Sequence, residues 1–184
     1  MFTKNFTRRT FLQTALAGAL TFGAGGTSFA KAMLAEKGSL SLYNTHTEER
    51  LSVTFRKADG SYDIDALNEI NRILRCHYTN QQTIMDVKTI EYLNLVDNRL
   101  GGGNEIHVIS GYRSPAYNSL LSNNGRHVAK HSLHLVGKAI DIAIPGIELN
   151  KVRRTALALQ LGGVGYYPGA GFVHIDSGKF RTWG

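Results

Sequence analysis

The segment SLHLVGKAIDIAI, residues 132–144, leads from a polar stretch into a run of side chains typical of a strand. A second segment, FVHID at residues 172–176, follows a Pro-Gly turn and is predicted to be one arm of a hairpin. Alternate side chains of a strand share a face, so His174 and Asp176 lie on the same side of the predicted sheet. Together the two segments predict a sheet that carries histidine and aspartate side chains.

Periodicity elsewhere in the chain predicts further strands and helices. Strands are expected at residues 39–42, 51–55, 106–109 and 164–167, and helices after an Asp63 or Asp65 cap and at residues 85–100, 117–121 and 149–161. The helices and short strands do not alternate as regular βαβ units. This order predicts the α+β class, with a small antiparallel sheet and packed helices.

The N-terminus has the layout of a cleaved export signal, residues 1–30, in which basic residues precede a mildly apolar run at 11–22. The sequence TRRTFLQ at 7–13 resembles the twin-arginine signal. Small residues allow cleavage after Ala30 or after Ala32, and the sequence does not choose between them. We expect transient contact with the twin-arginine export machinery and a periplasmic location for the mature protein.

The remainder, residues 31–184, has the length of a single domain. Three of the 21 basic residues lie in the signal, so 18 basic and 14 acidic side chains leave the mature chain at +4. This mild excess suits an anionic polymer, whereas nucleic acid is disfavoured because no basic stripe is interleaved with aromatic residues. No segment is apolar enough for a stable membrane span. Cys76 is the only cysteine, which excludes an internal disulfide and favours a buried thiol.

Three side chains form a plausible metal-ligand set. His134 and Asp141 are seven residues apart, and His174 lies on the later strand. A catalytic zinc site takes three nitrogen or oxygen ligands and leaves a fourth position open, which this set supplies without cysteine. Taken alone, each histidine is more often a hydrogen-bonded core or surface residue.

The pattern Ser-x-His-x-x-Gly-x-Ala-x-Asp, followed later by His-x-Asp, resembles the M15 metallopeptidases, the D-alanyl-D-alanine carboxypeptidases and their endolysin relatives. The segments SGYRS at 110–114 and GGVGYYP at 162–168 are similar to the YcbK/MepK (DUF882) branch of that group. The resemblance implies Zn²⁺ held by His134, Asp141 and His174. It also implies a core like that of the zinc D-Ala-D-Ala carboxypeptidases and hedgehog proteins.

The same resemblance implies a periplasmic murein endopeptidase that cleaves meso-diaminopimelate 3-3 cross-links of peptidoglycan. A D,D- or L,D-carboxypeptidase acting on the same polymer is an alternative. So is a non-catalytic, zinc-containing domain that binds the cell wall. The resemblance further implies that Arg113 binds substrate or stabilises a developing oxyanion, and its alternative role is a salt bridge that fixes its loop.

The proton acceptor is the point where the chain departs from this group. Many M15 relatives are expected to carry an acidic residue three positions before the last ligand, where this chain has Gly171. Asp176 is the nearest candidate for a catalytic base, and its alternative role is to orient His174. His131 could contact the site, although solvent exposure is the simpler expectation.

The aromatic pair Tyr166 and Tyr167 is the remaining candidate for substrate binding. Their rings could line a cleft for wall peptides, or they could pack the hairpin. We expect packing for at least one of the two.

Overall fold

A computed structural model describes residues 37–123, 129 and 131–184. The predicted export signal, residues 1–30, lies outside the described residues and stays a prediction. The strands of the described part are β1 Gly38–Asn44, β2 Arg50–Arg56, β3 Glu105–Ser110, β4 Ala139–Ala143, β5 Gly163–Tyr167, β6 Phe172–Asp176 and β7 Arg181–Trp183. The helices are α1 Ile64–Ile73, α2 Val87–Arg99, α3 Pro115–Asn123 and α4 Leu149–Leu159, with short 3-10 turns at Leu133–Val136 and Pro168–Ala170.

The seven strands form one sheet in the order β2-β1-β3-β4-β6-β5-β7. The α+β class is confirmed, but the sheet is mixed and not purely antiparallel, because β1 runs parallel to β3 and β5 runs parallel to β7. The first parallel pair arises because β2 turns back beside β1 and two helices then intervene before β3. A parallel pair requires such a crossover connection.

Helices α1, α2 and α4 contribute buried side chains to a single hydrophobic core together with the strands. The central helix is α2, where Leu93 and Val96 have no exposed surface. The hydroxyl of Tyr92 on α2 donates to the Ala156 carbonyl of α4 at 2.9 Å. This bond joins the two helices and satisfies the buried Tyr92 hydroxyl.

Aspartate side chains cap the N-termini of helices α1 and α2. Asp63, and not Asp65, is the cap of α1, where its carboxylate accepts from the backbone of Asp65 and Ala66. Asp86 accepts from the backbone of Lys88, so α2 begins at Val87, two residues later than predicted. Such caps satisfy backbone donors that have no partner inside the helix.

Strand register places the candidate ligands. Asp141 on β4 lies opposite His174 on β6, and Gly165 on β5 lies opposite the same histidine. Because side chains alternate, Tyr167 shares the face of His174, whereas Tyr166 lies on the face that packs against the core. No helix within the described ranges is long and apolar enough to cross a membrane.

Candidate metal centre

The structure brings together the three predicted ligands from separate elements. His134 lies on the 3-10 turn, Asp141 on β4 and His174 on β6, and all three are buried. His134 Nε2 is 3.2 Å from Asp141 Oδ1 and 3.1 Å from His174 Nδ1. His174 Nδ1 is 2.8 Å from Asp141 Oδ1. One nitrogen of each ring and one carboxylate oxygen therefore converge on a single point.

The tautomer of each histidine follows from the hydrogen-bond partner of the ring nitrogen that points away from the convergence point. His134 Nδ1 lies 2.7 Å from the carbonyl oxygen of Gly111, which can only accept, so Nδ1 carries the hydrogen. His174 Nε2 lies 3.0 Å from a carboxylate oxygen of Asp176, which likewise accepts. In the neutral rings the inner nitrogens, His134 Nε2 and His174 Nδ1, then carry no hydrogen, so each offers a lone pair.

Three electron-rich atoms at these separations repel one another unless a cation lies among them. A zinc ion takes nitrogen and carboxylate ligands at about 2.0–2.2 Å in a tetrahedral arrangement, which fits three donors roughly 3 Å apart. The outer partners of the two rings are the kind of contact that orients metal-binding histidines. By the chemistry of the donor set, His134, Asp141 and His174 fit a divalent metal.

Electrostatics agree with this interpretation. Burial lowers the pKa of His134, which favours the neutral ring that a metal ligand needs. Burial opposes ionisation of Asp141, but His134 and His174 outweigh it and hold the pKa of Asp141 well below its usual range. Burial also opposes protonation of His174, but hydrogen bonds with Asp141 and Asp176 outweigh it and raise the pKa of His174. Asp141 at Nδ1 and Asp176 at Nε2 thus favour a positive charge on or beside the His174 ring, and a cation bound between Nδ1 and Asp141 would supply that charge in place of a proton.

Asp176 lies behind His174 and has no exposed surface. Its carboxylate accepts from the His174 ring and from Arg181. Burial opposes its ionisation, but these bonds outweigh burial and hold the pKa of Asp176 far below its usual range. So weak a base, without access to substrate, does not suit proton transfer. This geometry favours the second role considered from sequence, orientation of His174, while the role of Asp176 as a catalytic base stays a prediction.

Gly171, the position of the absent acid, ends the 3-10 turn between β5 and β6 with φ of 76°. This left-handed conformation favours glycine and strains other residues. The local backbone conformation therefore favours the glycine found at this position. Another group must supply the proton acceptor.

Arg113 approaches the metal centre from the loop after β3. Its Nη2 donates to Asp141 Oδ2 at 2.8 Å, and its Nε donates to Ser110 Oγ at 3.2 Å. The second terminal nitrogen, Nη1, has no hydrogen-bond partner among the described residues. Arg113 therefore forms the salt bridge considered from sequence and still keeps a free donor.

The ligands open onto a cavity of about 480 Å³. Arg113 and Arg181 line it, and aromatic side chains form one wall. Those aromatic residues are Tyr167, Phe172 and Trp183. His131 is exposed and also lines the cavity. It therefore combines the two expectations from sequence, solvent exposure and a position next to the site.

Tyr167 and Tyr166 separate in the structure. Tyr167 stacks on Phe172 with ring centroids 4.6 Å apart and accepts a 2.7 Å hydrogen bond from Trp183 Nε1. Tyr166 packs against the hydrophobic core, and the Arg153 guanidinium lies 4.9 Å from its ring centre. The structure thus brings Tyr167 to the cavity and packs Tyr166 against the core, as expected for at least one of the two, and substrate binding by either stays a prediction.

Comparison with known proteins agrees with the motifs. The family model Peptidase_M15_2, described as peptidoglycan L,D-endopeptidase MepK, matches residues 32–183. The chain belongs to the MepK family of M15 peptidases. It is 42% identical over 145 residues to the probable peptidoglycan L,D-endopeptidase MepK of Haemophilus influenzae, covering 78% of this chain and 77% of that protein. It is 39% identical over 144 residues to the peptidoglycan L,D-endopeptidase MepK of Escherichia coli K12, covering 78% and 79% respectively.

Some residues of this MepK-family site gave no usable signal in the sequence. The ring of His134 is fixed by a backbone carbonyl, and a carbonyl is present at every position of the chain. Strand β7 has only three residues, too few for a periodic pattern, so Arg181 and Trp183 were not predicted. Both lie against the site only because β7 pairs with β5.

Proposed function

We propose that this chain is a zinc peptidase that hydrolyses peptide cross-links of peptidoglycan. The observation that carries the proposal is the convergence of three buried ligand atoms at the floor of an open cavity. The similarity to proteins of Haemophilus influenzae and Escherichia coli that are named peptidoglycan L,D-endopeptidases supports the substrate class. Among the described residues the ligand group has three members, which suits a catalytic site with an open position better than a closed structural site.

His134, Asp141 and His174 would hold the metal, while the Gly111 carbonyl and Asp176 fix the two rings. What zinc supplies in such a site is Lewis-acid chemistry, which lowers the pKa of a water to about 7 and polarises a carbonyl. The protein's own contribution is a set of ligands already oriented before the metal binds, so that binding needs no rearrangement of the side chains.

Arg113 is placed to bind an oxygen of the substrate. Its Nη2 is engaged by Asp141, and its free Nη1 is available to a carboxylate of a stem peptide or to the oxygen that gains charge in the transition state. A donor held in place by a second bond is already oriented before substrate arrives. This role explains why the side chain both contacts a ligand and lines the cavity.

His131 is our candidate for proton transfer. Gly171 has no side chain and Asp176 is enclosed, whereas the imidazole of His131 is exposed and borders the cavity. Histidine is the side chain used most often to move protons in enzymes. In this scheme His131 accepts the proton of the attacking water and passes it to the leaving amine.

The bond we assign is the meso-diaminopimelate 3-3 cross-link. Such a bridge places charged amine and carboxylate groups near the scissile amide, and the remaining donor of Arg113 in the cavity suits a carboxylate. Tyr167 offers a ring face to the peptide stem. A 4-3 bridge presents D-alanine on the acyl side of that bond, so it lacks the charged groups that the first diaminopimelate residue carries there and keeps only those of the second.

Two alternatives involve the same metal site. A carboxypeptidase would use the same ligands on a chain end, and the open cavity fits either substrate. A non-catalytic wall-binding domain is favoured by one observation, the absent acid at Gly171. We place the protein in the periplasm, exported by the twin-arginine route, on the sequence of residues 1–30.

The test uses the purified mature domain, zinc and two purified dimers, one with a 3-3 and one with a 4-3 bridge. Timed digestion followed by chromatography should show faster cleavage of the 3-3 dimer. His134→Ala should abolish cleavage, whereas the control His107→Ala, on β3, should keep it. Exclusive cleavage of the 4-3 dimer would overturn the bond assignment. Absence of cleavage by zinc-loaded protein would favour the wall-binding domain.

A further inference from the structure

Strand β7, next to the end of the chain, brings a second arginine to the rear of the metal centre. Arg181 Nη1 donates to Asp176 Oδ1 at 3.0 Å, and Nη2 donates to Asp176 Oδ2 at 2.7 Å. Two parallel N–H bonds to one carboxylate define its plane as well as its position. Asp176 is fully buried, whereas the Arg181 side chain keeps 45% of its surface exposed.

Asp176 is therefore held on all sides. Besides the two bonds from Arg181, its Oδ1 accepts from the backbone of Gly163 at 3.1 Å and of Gly178 at 2.8 Å. Its Oδ2 accepts from His174 Nε2 at 3.0 Å. A carboxylate with this many donors has little freedom to rotate, so it presents a fixed acceptor to the histidine ring.

Trp183 completes the arrangement on the same strand. Its ring lies 5.2 Å from the His174 ring and 4.8 Å from the Arg181 guanidinium carbon. Gly165 leaves room for it, because a Cβ there would lie 2.7 Å from the indole. A Cβ at Gly163 would likewise clash with Asp176 and Arg181. Two glycines of β5 thus admit both β7 side chains.

We propose that Arg181 is a positioning residue: by holding Asp176 it fixes the ring of His174 and so sets the affinity of the site for its metal. This inference rests on the proposed function only in requiring that the site binds a metal. It goes beyond that function by making the last strand part of the metal centre. Trp183 supports the same geometry by packing against both His174 and Arg181.

Charge alone makes the opposite prediction. A guanidinium close to a divalent cation repels it, so removal of Arg181 should strengthen zinc binding if the side chain acts only as a positive charge. If it acts by positioning, removal should weaken binding. Loss of an outer partner of a metal-binding histidine typically lowers affinity about 10–100-fold. The sign of the change therefore distinguishes the two roles.

The experiment measures the zinc dissociation constant of the mature domain by competition with a chromophoric chelator, without substrate. We expect Arg181→Met to bind zinc about 10-fold more weakly than the wild type. Arg181→Lys should be intermediate, because one ammonium cannot replace two parallel donors. The matched control is Lys179→Met, which removes an exposed charge two residues away and should bind zinc as tightly as the wild type or slightly more tightly.

Unchanged or tighter zinc binding by folded Arg181→Met would overturn the proposal, with circular dichroism as the check on folding. If that variant does not fold, the zinc dissociation constant of Arg181→Gln is measured instead. Wild-type affinity in Arg181→Gln would also contradict the proposal. His134→Ala is measured in parallel. If it too retains wild-type affinity, the metal site itself is wrong, which is a separate failure from that of Arg181.

Discussion

At the residue scale, the chemistry of the centre depends on which nitrogen of each histidine is bare. The Gly111 carbonyl fixes Nδ1–H in His134, and the Asp176 carboxylate fixes Nε2–H in His174. The two rings thus use different inner atoms, Nε2 in one and Nδ1 in the other. Neither choice follows from residue type, because a free imidazole populates both tautomers.

Arg113 combines two roles that a variant can separate. Arg113→Ala should lose about 10²–10³-fold in kcat/KM at saturating zinc, because a donor to the developing oxyanion is removed. Zinc affinity should fall less than activity, since all three ligand side chains are retained in this variant. Arg113→Lys should recover part of the activity. Dimer hydrolysis at saturating zinc is the measurement, with Arg154→Ala as the surface control. Full activity in Arg113→Ala would leave Arg113 a structural role alone.

His131 tests the proposed route of the proton. His131→Ala should lower kcat by about 10²–10⁴-fold, the usual contribution of a positioned acid or base. Zinc affinity should stay at the wild-type level, since His131 is outside the ligand group. The measurement pairs dimer hydrolysis with chelator competition, and His107→Ala is the control. Wild-type kcat would mean that the proton leaves by another route.

At the element scale, one buried ion pair joins the edge strand β2 to the central helix α2. Arg56 Nε donates to Glu91 Oε1 at 2.7 Å, and both side chains are almost fully buried. Burial and the neighbouring Glu91 raise the pKa of Tyr62 to about 12, so its hydroxyl stays protonated next to that carboxylate. The pair fixes β2 against α2 at a distance from the metal centre.

Breaking this pair should affect stability more than breaking an exposed one. Glu91→Ala is expected to lower the free energy of unfolding by about 3–5 kcal/mol, because Arg56 loses its buried carboxylate partner. The control Glu105→Ala, which loses an exposed pair with Arg50, should cost about 0–1 kcal/mol. Urea unfolding measures both. Equal effects would show that the buried pair contributes no more than the surface pair.

At the scale of the whole molecule, a mixed sheet collects the site from distant parts of the chain. Strands β4 and β6 meet in antiparallel register, and β5 and β7 extend the sheet beyond them. Helices α1, α2 and α4 pack against the opposite face and form the hydrophobic core with it. One face is thereby free for the metal ligands, the aromatic wall and the two cavity arginines.

Export is the prediction that concerns the whole chain. Replacing the arginine pair by Arg8→Lys with Arg9→Lys should cause the precursor to accumulate in the cytoplasm, because the twin-arginine route reads that pair. Lys4→Gln, which leaves the pair intact, is the control. Cell fractionation and mass spectrometry should find a wild-type mature chain that begins at Lys31 or Met33. Normal export of the double variant would contradict the assignment.

The sequence by itself determined the ligand candidates, most elements and the family. His134, Asp141 and His174 are identified by residue type and motif. Helices α1, α2 and α4 are predicted by the helical spacing of the apolar residues that each buries. These features are readable because each depends on a few neighbouring residues or on a motif of defined spacing.

Only the tertiary structure decided where Asp176, Tyr166 and Arg181 lie relative to the metal centre. Asp176 and His174 share a strand face, which the sequence predicts. Burial of the Asp176 carboxylate, however, depends on hydrogen bonds from Gly163 on β5 and Arg181 on β7. Tyr166 and Tyr167 lie on opposite faces because side chains alternate along a strand, but the pairing of β5 with β6 decides which of them faces the core. The parallel pairs of the mixed sheet also have no local signal. Contacts between segments distant in the chain depend on how the whole hydrophobic core closes, and no short stretch of sequence encodes that closure.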